Sequence, residues 1–292
     1  MRVAVTGATG FVGRRFCRQA RAVGHDIVTL SRSGRGDRDW DPLHEPAPLH
    51  DVDAVVHLAG EPLMGRWTRR KMNAIRDSRI LGTRNIVNGL RHSPARVFVS
   101  ASAVGYYGDR GEEILTESSP PGDDFLADVC KAWEGEAFNA GVRAVVLRTA
   151  LVLGPGGAVA KMMPVFERGL GGTIGDGRPW MAWIHRDDLV DFYLRALEDE
   201  NWSGAYLASA PEAVRSATFT STLGRVLEKP SSLRVPRWSV RLAFGKSSSL
   251  LFASQNCRPL RALEANMSYR FPELEPALKD AVGALQASSV LT

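Results

Sequence analysis

Arg2-Val3-Ala4-Val5-Thr6-Gly7-Ala8-Thr9-Gly10-Phe11-Val12-Gly13 decides the fold. The first five residues, mostly apolar and β-branched, predict a short buried strand. The glycines follow in a G-x-x-G-x-x-G spacing, and Phe11 to Ala20 continues as a helix. In a strand–turn–helix of this kind one glycine permits the tight bend. Another lets backbone approach a pyrophosphate, and a third lets helix pack closely on strand. The helix start offers free N–H groups and a positive dipole end to phosphate. Gly7, Thr9, Gly10, Phe11, Val12 and Gly13 are therefore candidate dinucleotide contacts. The alternative is a glycine-rich turn with no ligand.

Working outward, 292 residues at 44% hydrophobic suffice for one large α/β domain or two merged ones. Charged residues, at 24%, are ordinary for a globular chain. No apolar run approaches the ~18 residues of a membrane span, and the N-terminus reads as a strand that opens a fold rather than a signal peptide. Cys17, Cys130 and Cys257 are odd in number and far apart, which excludes a disulfide framework or zinc spacing and fits a reducing, cytoplasmic setting. Net charge is +5, yet Arg215 to Arg270 holds ten Lys/Arg against two Glu. Such a stretch is a solvated surface or a site for a phosphate-bearing small molecule. Nucleic acid is the weaker reading, since no nucleic-acid motif accompanies it.

Asp26–Leu30 is the second predicted strand, ending in Ser31-Arg32-Ser33. An NAD site wants an acid at that end, ~20 residues past the glycines, to hold the ribose 2′-hydroxyl. Asp26 falls at the wrong end. A guanidinium and hydroxyls stand there instead, which suits a 2′-phosphate, so NADP(H) is preferred over NAD(H), with Ser31 and Arg32 as contacts. Residues 33–52 read mostly as loop, with Trp40-Asp41 flanking an adenine. Asp53–Gly60 is a buried strand whose small end, Leu58-Ala59-Gly60, lets a cofactor lie against backbone. A helix follows from Thr68 to Leu90. Arg96–Ser100 is a strand leading into Ala101-Ser102-Ala103-Val104-Gly105-Tyr106-Tyr107-Gly108, a cluster of hydroxyls at a strand's carboxyl end, where ligands of open α/β sheets bind. Ser100 joins the cofactor contacts. Phe125–Asn139 is a helix capped by Asp123 or Asp124, and Val142–Arg148 a strand. Residues 161–169 form a short helix, and Gly169–Gly172 with Gly175–Gly177 are mobile turns suited to a substrate lid. Residues 204–209 are the last sheet strand, and 218–285 is broken helix. The expected organisation is a doubly wound α/β domain over 1–210, with an insertion at about 155–184 facing substrate, and a small, mostly helical substrate-side lobe over 211–292.

These residues carry a resemblance. Thr6–Gly13, the His57-Leu58-Ala59-Gly60 strand end and the Ser102…Tyr107-Gly108 loop resemble the extended short-chain dehydrogenase/reductases, the nucleotide-sugar epimerase group. Ser100–Gly108, Asp124-Phe125-Leu126…Trp133-Glu134 and Trp183-Ile184-His185…Asp188 are similar to a branch of that group with its own C-terminal domain, matched here by Pro259–Leu263 and Tyr269–Lys279. The resemblance implies a Rossmann-type fold, an NAD(P) cofactor, hydride transfer on a small, phosphorylated or nucleotide-sugar substrate without metal or membrane, and a homodimer. It also places His185 and Asp188 near the substrate, although Asp187 and Asp188 equally suit a helix cap with His185 packed beside Trp183.

The departure concerns the acid/base. The wider family carries a tyrosine and, one helical turn later, a lysine that assists its proton transfer. None of the five tyrosines here has a lysine four residues on. Phasing the helix on Glu134 puts Cys130 at the lysine position and Leu126 at the tyrosine position. Two hypotheses follow. In one, the protein is an enzyme with a rearranged site: Ser102 hydrogen-bonds the reacting oxygen and Tyr106 or Tyr107 supplies the proton. A free tyrosine titrates near ~10, so a cation must help, and Lys131 serves only if it turns toward the loop. In the other, the protein is a non-catalytic reader of NADP(H), a sensor or scaffold.

Overall fold

The structure, a computed structural model, describes residues 1–32 and 34–290, so the expected Ser33 hydroxyl lies outside the described residues. Strands β1 (Arg2–Thr6), β2 (Asp26–Ser31), β3 (Arg38–Asp39), β4 (Ala54–His57) and β5 (Val97–Ala103) belong to one sheet with two later strands, Arg143–Thr149 and Gly204–Ala208. Numbering the chain through, β6 is the two-residue strand Ile114–Leu115, the later sheet strands are β7 and β12, and the order is β12-β7-β5-β4-β1-β2-β3, parallel throughout. The short β3 lies inside the segment expected to be loop and extends the edge beside Leu30 and Ser31.

Alternation along the strands divides the side chains between two layers, as a sheet buried on both faces requires. Val3, Val5, Val56 and Val99 meet α1 (Phe11–Ala22) and the helix Arg186–Glu198 through Phe16, Leu189 and Tyr193. Ala4, Val28, Val55 and Phe98 meet α2 (Arg69–Leu90) and α3 (Phe125–Phe138) through Ile86, Val87, Leu90 and Ala137. Thr68 caps α2, its hydroxyl accepting from the Lys71 amide at 3.2 Å, and Asp124 caps α3 by accepting from the Ala127 amide at 2.9 Å.

After β7 come β8 (Leu151–Leu153), α4 (Gly157–Glu167), β9 (Gly172–Ile174), β10 (Trp180–Met181), β11 (Trp183–His185) and α5, the helix Arg186–Glu198 that packs on the sheet with α1. After β12 come β13 (Val214–Arg215), α6 (Ser216–Val226), β14 (Leu233–Val235), α7 (Arg237–Phe244), α8 (Ser249–Phe252), β15 (Asn256–Cys257), α9 (Leu260–Glu264) and α10 (Leu274–Val290). Leu153, Phe166, Trp183, Phe219, Leu223, Leu278 and Val282 form a separate core in this region. The glycine-rich segment expected as a mobile lid is pinned: β9 pairs in parallel with β14, and the Gly175 amide donates to the Val235 carbonyl at 2.9 Å. Likewise β15 pairs with β6, tying the C-terminal residues to the loop after β5.

Candidate functional site

The β1–α1 turn is built as its glycines demand. Gly7 has φ +68°, and a Cβ there would lie 2.8 Å from the Leu58–Ala59 backbone. A Cβ on Gly13 would lie 2.1 Å from the Gly7 carbonyl oxygen, so only glycine lets α1 start so close to the strand. Gly10 is the N-cap without a side-chain bond, no acid stands in the first turn, and the Arg14 amide is the first to bond back, to Gly10 O at 3.0 Å. The amides of Phe11, Val12 and Gly13 are thus the orphan donors of the helix start.

The turn borders a cleft of about 480 Å³ at the carboxyl ends of β1, β2 and β4. Of the expected cofactor contacts, Gly7, Thr9, Gly10, Ser31, Arg32, Leu58, Ala59 and Gly60 line it. Phe11, Val12 and Gly13 follow that lining as the free amides of the α1 start, and Ser100 lies outside it. Phe11 turns its ring to Gly154, Gly156 and Gly157 and lies under the Arg186 guanidinium, and Ser100 is buried, donating to the Ala101 carbonyl at 3.1 Å. Trp40 and Pro42 form one wall. Four arginines line the cleft, Arg14, Arg21, Arg32 and Arg35, and none of the described lining residues is acidic. Sequence reasoning found Arg32 alone. The nearby acids are engaged elsewhere: Asp37 accepts from the Thr29 amide and hydroxyl at 2.8 Å, and Asp39 from the Gly34 amide at 3.0 Å.

Arg79 stands next to the Gly60 end of the cleft. Its guanidinium would be 3.4 Å from a Cβ on Gly60, donates to the Glu61 and Ile75 carbonyls at 3.1 Å, and lies 5.3 Å from the centre of a Trp133 ring. Among the described residues it has no carboxylate hydrogen-bonded to it, and burial lowers its pKa.

Ser102, Tyr106 and Tyr107 gather around the Glu134–Arg148 pair, and Lys131 stands apart. Ser102 is buried and donates its one hydroxyl proton to Glu134 at 2.6 Å, which leaves it only acceptor lone pairs. Glu134 is also paired with Arg148 at 2.8 Å, and Arg148 donates to the Tyr107 hydroxyl at 2.9 Å and to the Glu117 carbonyl at 3.0 Å. Tyr107 is fully buried, and desolvation pushes its hydroxyl well above the usual tyrosine range despite Arg148. Ser102 and Tyr107 therefore belong to one inward-facing network. Lys131 does not turn toward the loop: it pairs with Asp128 on its own helix at 2.7 Å, and that bond raises its pKa. Tyr106 differs. It is half-buried, the Arg148 guanidinium lies 3.5 Å from its ring centre, and its hydroxyl has no partner among the described residues. Cys130 is pushed up to about 12 by burial, with Glu134 adding to the shift, and Leu126 packs on Gly105. In the phasing on Glu134, the positions of the usual tyrosine and lysine are thus apolar or neutral.

His185 and Asp188 hold the C-terminal segment. The His185 Nδ1 accepts from the Asp187 amide at 3.2 Å, capping α5, so its Nε2–H donates to Asp280 at 3.1 Å. Asp188 is buried, pushed up to about 6 by desolvation, and accepts from the amides of Arg270 and Phe271 at 2.7 and 3.1 Å. Asp187 pairs with Arg15 at 2.6 Å. No group of three or more His, Cys, Asp or Glu among the described residues is placed to hold a metal, and no described helix is long and apolar enough to cross a membrane.

Comparison with known proteins bears on this arrangement. Residues 3–206 match the NAD dependent epimerase/dehydratase family, and residues 235–281 match a domain of unknown function (DUF1731). An epimerase family protein of Arabidopsis thaliana, an SDR39U1 homolog described as chloroplastic, is 37% identical over 96% of this chain and 86% of its own length. YfhF of Bacillus subtilis is 33% identical over 97% of this chain and 98% of its own. The crystal structure of human SDR39U1 with NADPH superposes with a TM-score of 0.90 at 32% identity, covering 97% of this chain and 99% of that one.

Proposed function

The chain belongs to the NAD dependent epimerase/dehydratase family, and on that premise we propose that it binds NADP(H) in the cleft over the Gly7–Gly13 turn and transfers hydride to or from a small molecule. The observation that carries the cofactor choice is the cleft lined by four arginines and no acid. The residues present fit a dinucleotide: the cradle at Gly7 and Gly13 admits no Cβ, and the α1 amides have no protein acceptor. Arg32, with Arg14, Arg21 and Arg35, would hold the 2′-phosphate. Charge-assisted hydrogen bonds of this kind contribute about 1.5–3 kcal/mol each. The Phe11–Gly13 amides would hold the pyrophosphate, and the Leu58–Gly60 backbone would flank the dinucleotide. Bound there, the nicotinamide supplies or takes up the hydride.

Residues 211–292 form the substrate-side lobe in this reading. Tyr106 is the proton donor and acceptor, because its hydroxyl alone among the four expected groups is uncommitted; Arg148, stacked on its ring, fixes its position. Ser102, with its proton committed to Glu134, positions the Glu134–Arg148 pair that lies against the Tyr106 ring. Arg79 offers a fixed cation to an anionic group at the Gly60 end, which suits a phosphorylated or nucleotide-sugar substrate. The second reading, a non-catalytic NADP(H) sensor, is favoured by one observation: no tyrosine of this chain has a lysine four residues on.

The two readings part in one experiment. NADPH carrying deuterium at C4 is incubated with the protein and a pool of small carbonyl metabolites, and deuterium is followed into product. Transfer by the wild type, reduced about 10²-fold in Tyr106→Phe, is the expected result for an enzyme with this donor. Tight NADPH binding with no transfer would leave the sensor as the answer.

A further inference from the structure

The basic stretch between Arg215 and Arg270 divides in the folded chain. Arg215, Arg225 and Arg270 pair with Glu112, Glu275 and Asp191, and Arg261 donates to the Ser203 and Ala205 carbonyls. Arg234, Arg237, Arg241 and Lys246 have no carboxylate partner among the described residues, and no acid occurs between Lys229 and Leu263.

These four cations flank, in the sequence, the two most exposed large apolar side chains among the described residues. On α7, Trp238 and Leu242 lie one turn apart and are 69% and 72% exposed, while Val240, on the opposite side of the helix, is buried. Arg237 and Arg241 form the neighbouring stripe, their guanidinium groups 4.5 and 5.7 Å from the Phe252 ring centre. Phe244, Leu250 and Leu251 continue the patch at 40%, 36% and 40% exposure. The helix is thus seated by one side and presents indole and leucine outward.

We propose that this face docks on an anionic lipid surface, with α7 lying in the plane of the interface. An amphipathic, basic helix bearing Trp and Leu has the chemistry of an interfacial segment, with the apolar side chains entering the headgroup boundary and the cations meeting lipid phosphates. The charge argues against a second copy of this chain on the same face, since two such patches repel. The outward leucines argue against nucleic acid, which gives an aliphatic side chain nothing to stack upon. The membrane is touched and not spanned, and the inference is independent of the cofactor reading.

The test is co-sedimentation of the full chain with vesicles of phosphatidylcholine alone or of equal parts phosphatidylcholine and phosphatidylglycerol. The wild type is expected to pellet with the anionic vesicles only, and less at high salt. Trp238→Ser/Leu242→Ser and, separately, Arg234→Glu/Lys246→Glu are expected to lower the bound fraction at least about tenfold with unchanged thermal unfolding. Protein that stays in the supernatant with both vesicle types overturns the proposal. So does equal binding by the variants, a dimer in light scattering that only Trp238→Ser/Leu242→Ser dissolves, or a single-stranded oligonucleotide bound in place of vesicles.

Discussion

Thr6 carries one hydroxyl and three hydrogen bonds. It accepts from the amides of Leu58 and Ala59 at 3.2 and 3.1 Å, so its own proton goes to the His57 Nδ1 at 2.7 Å. One side chain at the end of β1 thereby fixes the backbone that walls the cleft, and it also fixes the tautomer of His57. The other ring nitrogen carries the hydrogen, is buried beside Gly82, and has no partner among the described residues. Burial, with the Arg79 charge adding to it, holds this imidazole down at about 4. His57 is therefore neutral in the folded chain at physiological pH and is a strand residue rather than a proton carrier. Between about pH 6.5 and 4 the unfolded chain takes up a proton that the folded chain refuses, so stability falls on acidification by about 3 kcal/mol at most from this group. In His57→Asn, whose side-chain oxygen can still accept from Thr6, urea denaturation is expected to show a loss between pH 7 and pH 4 smaller by about that amount; parallel profiles would contradict it.

At the scale of elements, α5 joins the sheet to the C-terminal segment. Its cap, His185, reaches α10 through Asp280, and its second acid, Asp188, receives the chain at Arg270 and Phe271. Asp188→Ala strands two amides, each costing about 1–3 kcal/mol, offset in part by removal of a carboxyl that burial disfavours in its charged form. The expected outcome is local: hydrogen exchange in residues 267–285 speeds at least about tenfold while β1 and β4 keep their protection. Uniform loss across both regions would show that the lobe and the sheet open together. The sequence made the sheet strands and long helices legible because their periods are clear, and α2 and α3 start within a residue of their expected positions. It did not show β8–β11 or β9–β14, pairs only three residues long whose register comes from the lobe they close. The same is true of Ser102, Glu134 and Arg148, which are far apart in the chain. Only the fold shows that the Ser102 proton is spent on Glu134.

Across the whole molecule, the glycine turn, the Leu58–Gly60 strand end and Arg32 could be read in advance because each sits at a fixed offset from a strand. Arg14 and Arg21 look like the wet face of α1, and Arg35 like loop. Their convergence with Arg32 on one cleft depends on how the edge of the sheet curls past α1. That convergence makes cofactor choice the central claim and gives it a direct measurement. Calorimetric titration of the full chain with NADPH and with NADH, repeated on Arg32→Ala, is expected to give NADPH binding at least about tenfold tighter than NADH. Arg32→Ala is expected to weaken NADPH by about 10- to 100-fold and to leave NADH unchanged. Equal affinity for the two dinucleotides, or an Arg32→Ala variant that loses both alike, would contradict the account.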